Sequence, residues 1–193
     1  EAIRRTADYG ILGYTSATPS YYEAVIDRFA KKWQWNIQRE WIMHSPGIVG
    51  AVAYCIQGMT KPGDGVVLPV PMYHPFAHLI EDNGRVILRS PLCREGERFT
   101  LDFAHLEQQL ARQDAKLLVF CNPHNPIGRA WTREELRQVC ELSLKYKVPM
   151  ISDEIHSDFI FSGHHFCSAA GPMEELGGLD NLIICSSASK SFN

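Results

Sequence analysis

A lone lysine, Lys190, follows the apolar run Ile183-Ile184-Cys185 and the hydroxyl-rich Ser186-Ser187-Ala188-Ser189. A buried strand that ends in small polar residues delivers the next long side chain into a polar pocket. An amine stripped of water there has a lowered pKa and can form a Schiff base with a carbonyl compound. Two carboxylates, Asp153 and Glu154, close a second apolar run, Val148-Pro149-Met150-Ile151-Ser152. Burying them without a cation is costly, so a positively charged partner is expected beside them. A third run, Leu117-Leu118-Val119-Phe120-Cys121, ends in Asn122-Pro123-His124-Asn125-Pro126, where each proline holds the asparagine before it extended. A fourth, Val66-Val67-Leu68-Pro69-Val70, breaks at Pro71 and leaves Tyr73 just past a strand end, where open α/β sheets place ligand contacts. Ser45-Pro46-Gly47 precedes a mostly apolar helical run, and a turn there leaves the first helical N–H groups free to hold an anion. A surface lysine, a loop tyrosine or an exposed cap would account for any one of these alone. Together they describe a pocket.

The elements that must position these residues alternate. Strands are expected at 41–44, 66–70, 85–90, 116–121, 148–152 and 182–185, and helices at 48–59, up to about 83, at 102–111 and from 132 to about 146. The last of these helices opens with a capping box, Thr132 and Glu135. Upstream, 9–15 reads as a Gly-punctuated loop, and Thr18-Pro19 caps an amphipathic helix of about four turns. Its stripe of Tyr22, Val25, Ile26, Phe29 and Trp33 is expected to be core. Intervals of this length suit βαβ crossovers, which predicts an α/β fold with a largely parallel sheet and helices on both faces. Tyr73, Asn125, Asp153 and Lys190 would then emerge at one sheet edge.

Composition excludes several classes. The 193 residues are 45% hydrophobic and 21% charged, with a net charge of −3 and no basic block, so nucleic acid is not an expected partner. No apolar run approaches the ~20 residues of a membrane span. Six cysteines without a Cys-x-x-Cys pair fit reduced thiols in a cytoplasmic protein and make a metal site improbable. Cys121 is expected to be a buried thiol, and His164-His165 an exposed loop. No GxGxxG or Walker pattern is present, so an ordinary nucleotide site is not expected. The chain opens without Met in polar, helical sequence and stops just after Lys190, as a fragment of a longer chain would.

The motifs resemble those of the fold type I pyridoxal phosphate (PLP) enzymes, the aspartate aminotransferase superfamily, and within it the MalY/PatB-type cystathionine β-lyases (C–S lyases). The likeness rests on Gly13-Tyr14-Thr15, Ser45-Pro46-Gly47-Ile48-Val49, Pro71-Met72-Tyr73-His74-Pro75-Phe76, Asn122 to Arg129, Ser152 to Asp158, and Ser187 to Asn193, in the family's order. Asn-Pro-His-Asn-Pro, Asp-Glu-Ile-His and Ser-Lys-Ser-Phe-Asn favour the lyase branch. The resemblance implies a three-layer domain, mostly parallel sheet flanked by helices. Residues 1–193 would be most of this large PLP-binding domain, without an N-terminal segment and the C-terminal small domain.

It also implies roles. Lys190 would hold PLP covalently and then act as the base at the substrate's Cα. Asp153 would pair with the protonated pyridine nitrogen, which supplies the expected cation. Asn125 would donate to the phenolic oxygen, with His156 near it, and Tyr73 would stack on the ring. The backbone N–H groups of Ile48 and Val49 would hold the phosphate, helped by the hydroxyls of Ser187 and Ser189. Tyr14 would reach the phosphate of a neighbouring subunit, making the site depend on a homodimer. Gly50, where many of these lyases carry proline, leaves those N–H groups unaffected. His74 and His124 would lie behind the cofactor contacts. The implied reaction is α,β-elimination on an S-substituted L-cysteine such as L-cystathionine, giving a thiol, pyruvate and ammonia. Amino transfer to a 2-oxo acid is the alternative enzymatic reading, and binding of a transcription regulator the non-enzymatic one.

Overall fold

The computed structural model describes residues 1–192 as two compact units, divided between Met43 and His44. The first unit contains α1 (Ala2–Tyr9), α2 (Pro19–Trp33) and a one-turn 3-10 helix at Arg39–Trp41. Thr18 caps α2 as expected, its hydroxyl accepting the Tyr21 N–H at 3.4 Å with Pro19 in the first turn. The aromatic stripe is not fully core. Phe29 packs on Trp33 (ring centroids 4.6 Å) and Trp35 (5.9 Å), yet no residue of α2 is fully buried within the described chain. A unit this small cannot enclose a helix face by itself.

The strand expected at 41–44 does not form. Trp41 closes the 3-10 turn, and Ile42 is extended (φ −87°, ψ 114°) but belongs to no ladder among the described residues. Extended geometry without a neighbour to accept and donate hydrogen bonds is not a strand.

The second unit is built on β1 (Gly65–Val70), β2 (Val86–Pro91), β5 (Ala115–Cys121), β6 (Met150–Asp153) and β7 (Leu182–Cys185), in the order β2-β1-β5-β6-β7 with every pairing parallel. The exception to parallel pairing is a separate hairpin, β3 (Cys93–Glu95) with β4 (Arg98–Thr100). Side chains alternate along each strand, and helices cover both faces. On one face α3 (Gly47–Met59) and α4 (His74–Asp82) bring Val52, Ile56, Phe76 and Ile80 onto Val66, Leu117, Val119 and Ile151. On the other, α5 (Phe103–Leu110), α6 (Arg133–Tyr146) and α7 (Ala170–Glu175) pack Leu106, Leu136, Val139 and Met173 onto Val67, Leu118, Phe120 and Met150. The three-layer α/β expectation holds.

The capping box also forms. Thr132 accepts the Glu135 N–H at 3.2 Å, and Glu135 accepts the Thr132 N–H at 2.8 Å. Thr132→Ala is expected to lower stability by about 1 kcal/mol, read as a lower urea midpoint at an unchanged slope.

The chain runs from β1 outward through α4 to β2, then returns across β1 through α5 to β5 and continues outward to β7. The direction reverses between β1 and β5. Open α/β sheets bind ligands outside the carboxyl ends of the strands at such a reversal.

Candidate active site

Because all five strands are parallel, their carboxyl ends share one edge. Register aligns Cys121, Asp153 and Cys185 in one row across β5, β6 and β7. Asp153 is 4% exposed, and its carboxylate accepts one N–H, from Ile155 at 3.1 Å. Burial pushes its pKa up to about 6. Among the described residues no lysine, arginine or histidine pairs with it. The thiols on either side, Cys121 and Cys185, are pushed up to about 12, first by burial and also by this carboxylate, so they are inert neighbours. Cys121 is the buried thiol that was expected.

The turn after β5 is tied down from several sides. The Asn122 amide donates to the Cys167 carbonyl (2.7 Å) while its oxygen accepts the Trp131 N–H (3.2 Å), and the Trp131 indole donates to the Cys121 carbonyl (2.9 Å). The His124 N–H donates to the Arg129 carbonyl (2.7 Å), and the Gly128 N–H to the His124 carbonyl (2.8 Å). Gly128 sits at φ 67°, a conformation that favours glycine. Arg129 grips both oxygens of Glu135 (2.7 and 2.8 Å) and lies 4.5 Å over the Trp131 ring. Both Asn–Pro bonds in the turn are cis. His124 is buried edge-on to Trp131, and burial pushes its pKa down to about 4, so it is a neutral packing residue of the turn. What the turn presents is Asn125, half-buried, with no hydrogen bond on its side-chain amide among the described residues.

Tyr73 lies three residues past β1, half-buried, with Phe76 edge-on at 5.5 Å and His74 at 5.6 Å. It stands across the β1/β5 reversal from Asn125. The five-residue connection from α3 to β1 makes the helix antiparallel to the strand, so the start of α3 lies toward the same edge. No side chain caps α3, and Gly47 turns into it at φ 84°, so the N–H groups of Ile48 and Val49 have no intrahelical acceptor.

After β7 the chain makes a single 3-10 turn, Ala188–Lys190. Ser187 accepts the Ser189 N–H at 3.2 Å and donates to the Ser189 hydroxyl at 2.9 Å. The Ser191 hydroxyl donates to Asp158 in the loop after β6. Lys190 reaches the expected edge but is exposed, not desolvated, because no described segment covers this rim. His156 is half-buried, and burial followed by the nearby Lys190 ammonium lowers its pKa. Asn193, the last residue of that motif, lies outside the described residues. Tyr14 belongs to the first unit and is fully exposed. His164 and His165 lie in an exposed loop, as expected.

One neighbour of the site was not distinguished by sequence. Glu154 faces away from Asp153, is 2% exposed, and accepts the Ser152 hydroxyl (3.0 Å) and the Ala169 N–H (2.9 Å). Strand alternation could have separated the two carboxylates, but the Ala169 contact comes from an irregular segment that no pattern announces.

Comparison with known proteins agrees with this geometry. Over its whole length the chain is 39% identical to cystathionine beta-lyase PatB of Bacillus subtilis, and it covers 49% of that protein. It superimposes on cystalysin of Treponema denticola, whose crystal structure contains a pyridoxal 5'-phosphate cofactor. The TM-score is 0.92 at 36% identity, covering 99% of this chain and 48% of cystalysin. A PLP-bound C–S lyase from Staphylococcus hominis gives a TM-score of 0.92 at 32% identity, with 100% of this chain and 49% of the other covered. The chain thus spans about half the length of the curated relatives it matches. The model for aminotransferase class I and II matches residues 1–193 without a break, and the chain belongs to that family.

Proposed function

We propose that the protein is a PLP-dependent carbon–sulfur lyase acting on S-substituted L-cysteines such as L-cystathionine, with release of a thiol, pyruvate and ammonia. The single observation that carries the cofactor assignment is Asp153. A carboxylate 4% exposed, at the reversal-point edge and without a cationic partner among the described residues, fits the protonated ring nitrogen of PLP. The remaining donors suit the same group. Asn125 offers a free amide for the phenolic oxygen, and His156, beside Lys190, would lie near it. Tyr73 offers a ring face. The N–H groups of Ile48 and Val49, with the hydroxyls of Ser187 and Ser189, suit a phosphate.

When bound, PLP supplies an electron sink for charge that develops at the substrate's Cα. Asp153 keeps the ring nitrogen protonated. Lys190 would hold the cofactor through its amine and, when that amine is free, would take the Cα proton. Its solvent exposure in the described chain fits an amine reached from outside the sheet edge.

Residues 1–193 are read as most of the large cofactor-binding domain, in a cytoplasmic homodimer where Tyr14 reaches the neighbouring site. No described helix is long and apolar enough to cross a membrane. The C–S lyase names of the relatives support elimination, while the family's own name keeps amino transfer as a second reading. The whole protein with PLP and L-cystathionine, and no added 2-oxo acid, is expected to yield pyruvate and thiol in equal amounts over many turnovers. Amino transfer on adding a 2-oxo acid, without that elimination, would move the protein to the aminotransferases.

A further inference from the structure

Two adjacent carboxylates enter the interior at the end of β6, and they fare differently. Asp153 meets the open edge. Glu154 points to the opposite face, 2% exposed, between the strand end and the start of α7. One of its oxygens takes the Ser152 hydroxyl at 3.0 Å and the Ala169 N–H at 2.9 Å. The Ser168 hydroxyl also meets this carboxyl, and its oxygen accepts the Ala170 N–H at 3.2 Å. A hydroxyl oxygen can accept a proton from a neutral acid as readily as it donates to a charged one. The titratable groups close enough to interact electrostatically with Glu154 are Asp153 on β6, Cys121 on β5, Cys140 on α6, Cys167 before α7 and Cys185 on β7. None is a cation.

We propose that Glu154 is held as a neutral acid, a hydrogen-bonded clasp between the end of β6 and the start of α7 that leaves Asp153 without a like charge at its back. Glu154 is thus a positioning residue. It fixes the backbone that carries Asp153 and keeps a second anion from competing for the positive ring nitrogen. Burial, moderated by these hydrogen bonds, pushes its pKa up from 4.5 to about 7. The purpose of the clasp rests on the proposed cofactor site, but its protonation state does not.

The sign of the pH dependence follows from the raised pKa. The stabilising contribution is complete below pH 4.5 and is lost as pH rises through about 7. Glutamine reproduces the neutral acid, with an oxygen for Ser152 and Ala169 and an NH2 for Ser168. In the whole protein stripped of cofactor, Glu154→Gln and wild type should therefore have nearly equal Tm at pH 4.5. The variant should gain steadily between pH 4.5 and 7 and level off above it, reaching on the order of 10²-fold in the folding equilibrium constant. Asp153, raised from 3.8 to about 6, acts with the same sign in a lower window and cancels in this comparison.

A second readout is the infrared carbonyl band of a protonated carboxyl in the loaded protein. It should be present below pH 7, titrate near that value, and be missing from the variant. A Tm gap that does not change with pH, or no such band in wild type, would overturn the proposal. The band in wild type decides the matter even where the variant fails to fold. Loss of elimination with the band intact would instead count against the lyase reading alone.

Discussion

If the proposed function holds, Lys190→Ala should reduce pyruvate release from L-cystathionine by at least about 10⁴-fold, because one substitution would remove both the proposed covalent attachment and the proposed base at Cα. Cofactor should still bind, more weakly, since Asp153 and the start of α3 are untouched. The two effects separate experimentally. Steady-state pyruvate formation reports the chemistry, and the PLP content after dialysis, read by absorbance, reports retention. Wild-type turnover in this variant would remove Lys190 from the mechanism. Its position supports the expectation, since it sits on a 3-10 turn pinned by Ser187 at one end and by the Ser191–Asp158 bond at the other. A lysine placed there by accident would need neither tie.

Asp153→Asn is expected to be the second most damaging change. The amide keeps the shape and can still accept the Ile155 N–H, but it cannot hold a positive charge on the ring nitrogen. Breaking a buried pair by removing one member costs ~3–5 kcal/mol, about 10²- to 10⁴-fold. That loss should fall on kcat for elimination, with the thermal midpoint of the cofactor-free protein little changed. A drop in stability alone, with kcat intact, would mean that Asp153 serves the strand and not the chemistry.

Much of this arrangement could be read from the sequence because local rules and tertiary structure agree there. The 182–185 strand and the Thr132–Glu135 box formed as the pattern predicted, and the cost of burying Asp153 was legible in its apolar approach. Other elements obey constraints that no local pattern carries. The strand read at 148–152 is Met150–Asp153, since pairing with β5 and β7 sets its ends. The hairpin of β3 and β4 was missed because its strands have three residues each, too few for alternation to register. Helix α7 begins Ala-Gly-Pro, a poor helical sequence, and forms because Ala170, Pro172 and Met173 are buried against the sheet. At Lys190 the sequence implied a desolvated amine, but desolvation needs a covering segment, and none of the described chain provides one.

The cross-strand row of Cys121, Asp153 and Cys185 carries a further consequence for how the molecule can go wrong. If β6 slid by a single residue against its neighbours, every side chain on it would change faces. Glu154 would come to the open edge together with Ser152, and Asp153 would turn inward toward Ser168. The mispaired chain would still show a carboxylate at the rim, one methylene longer and drawn from the wrong side of the backbone. Apolar Ile151 and Met150 would also trade faces, and both faces are apolar, so packing alone penalises the error only weakly. The Ser152 bond to Glu154 runs along the strand and moves with it, but the Ala169 N–H bond to Glu154 is lost in the slipped state. That single contact therefore favours the one alignment in which the shorter acid lies at the open edge.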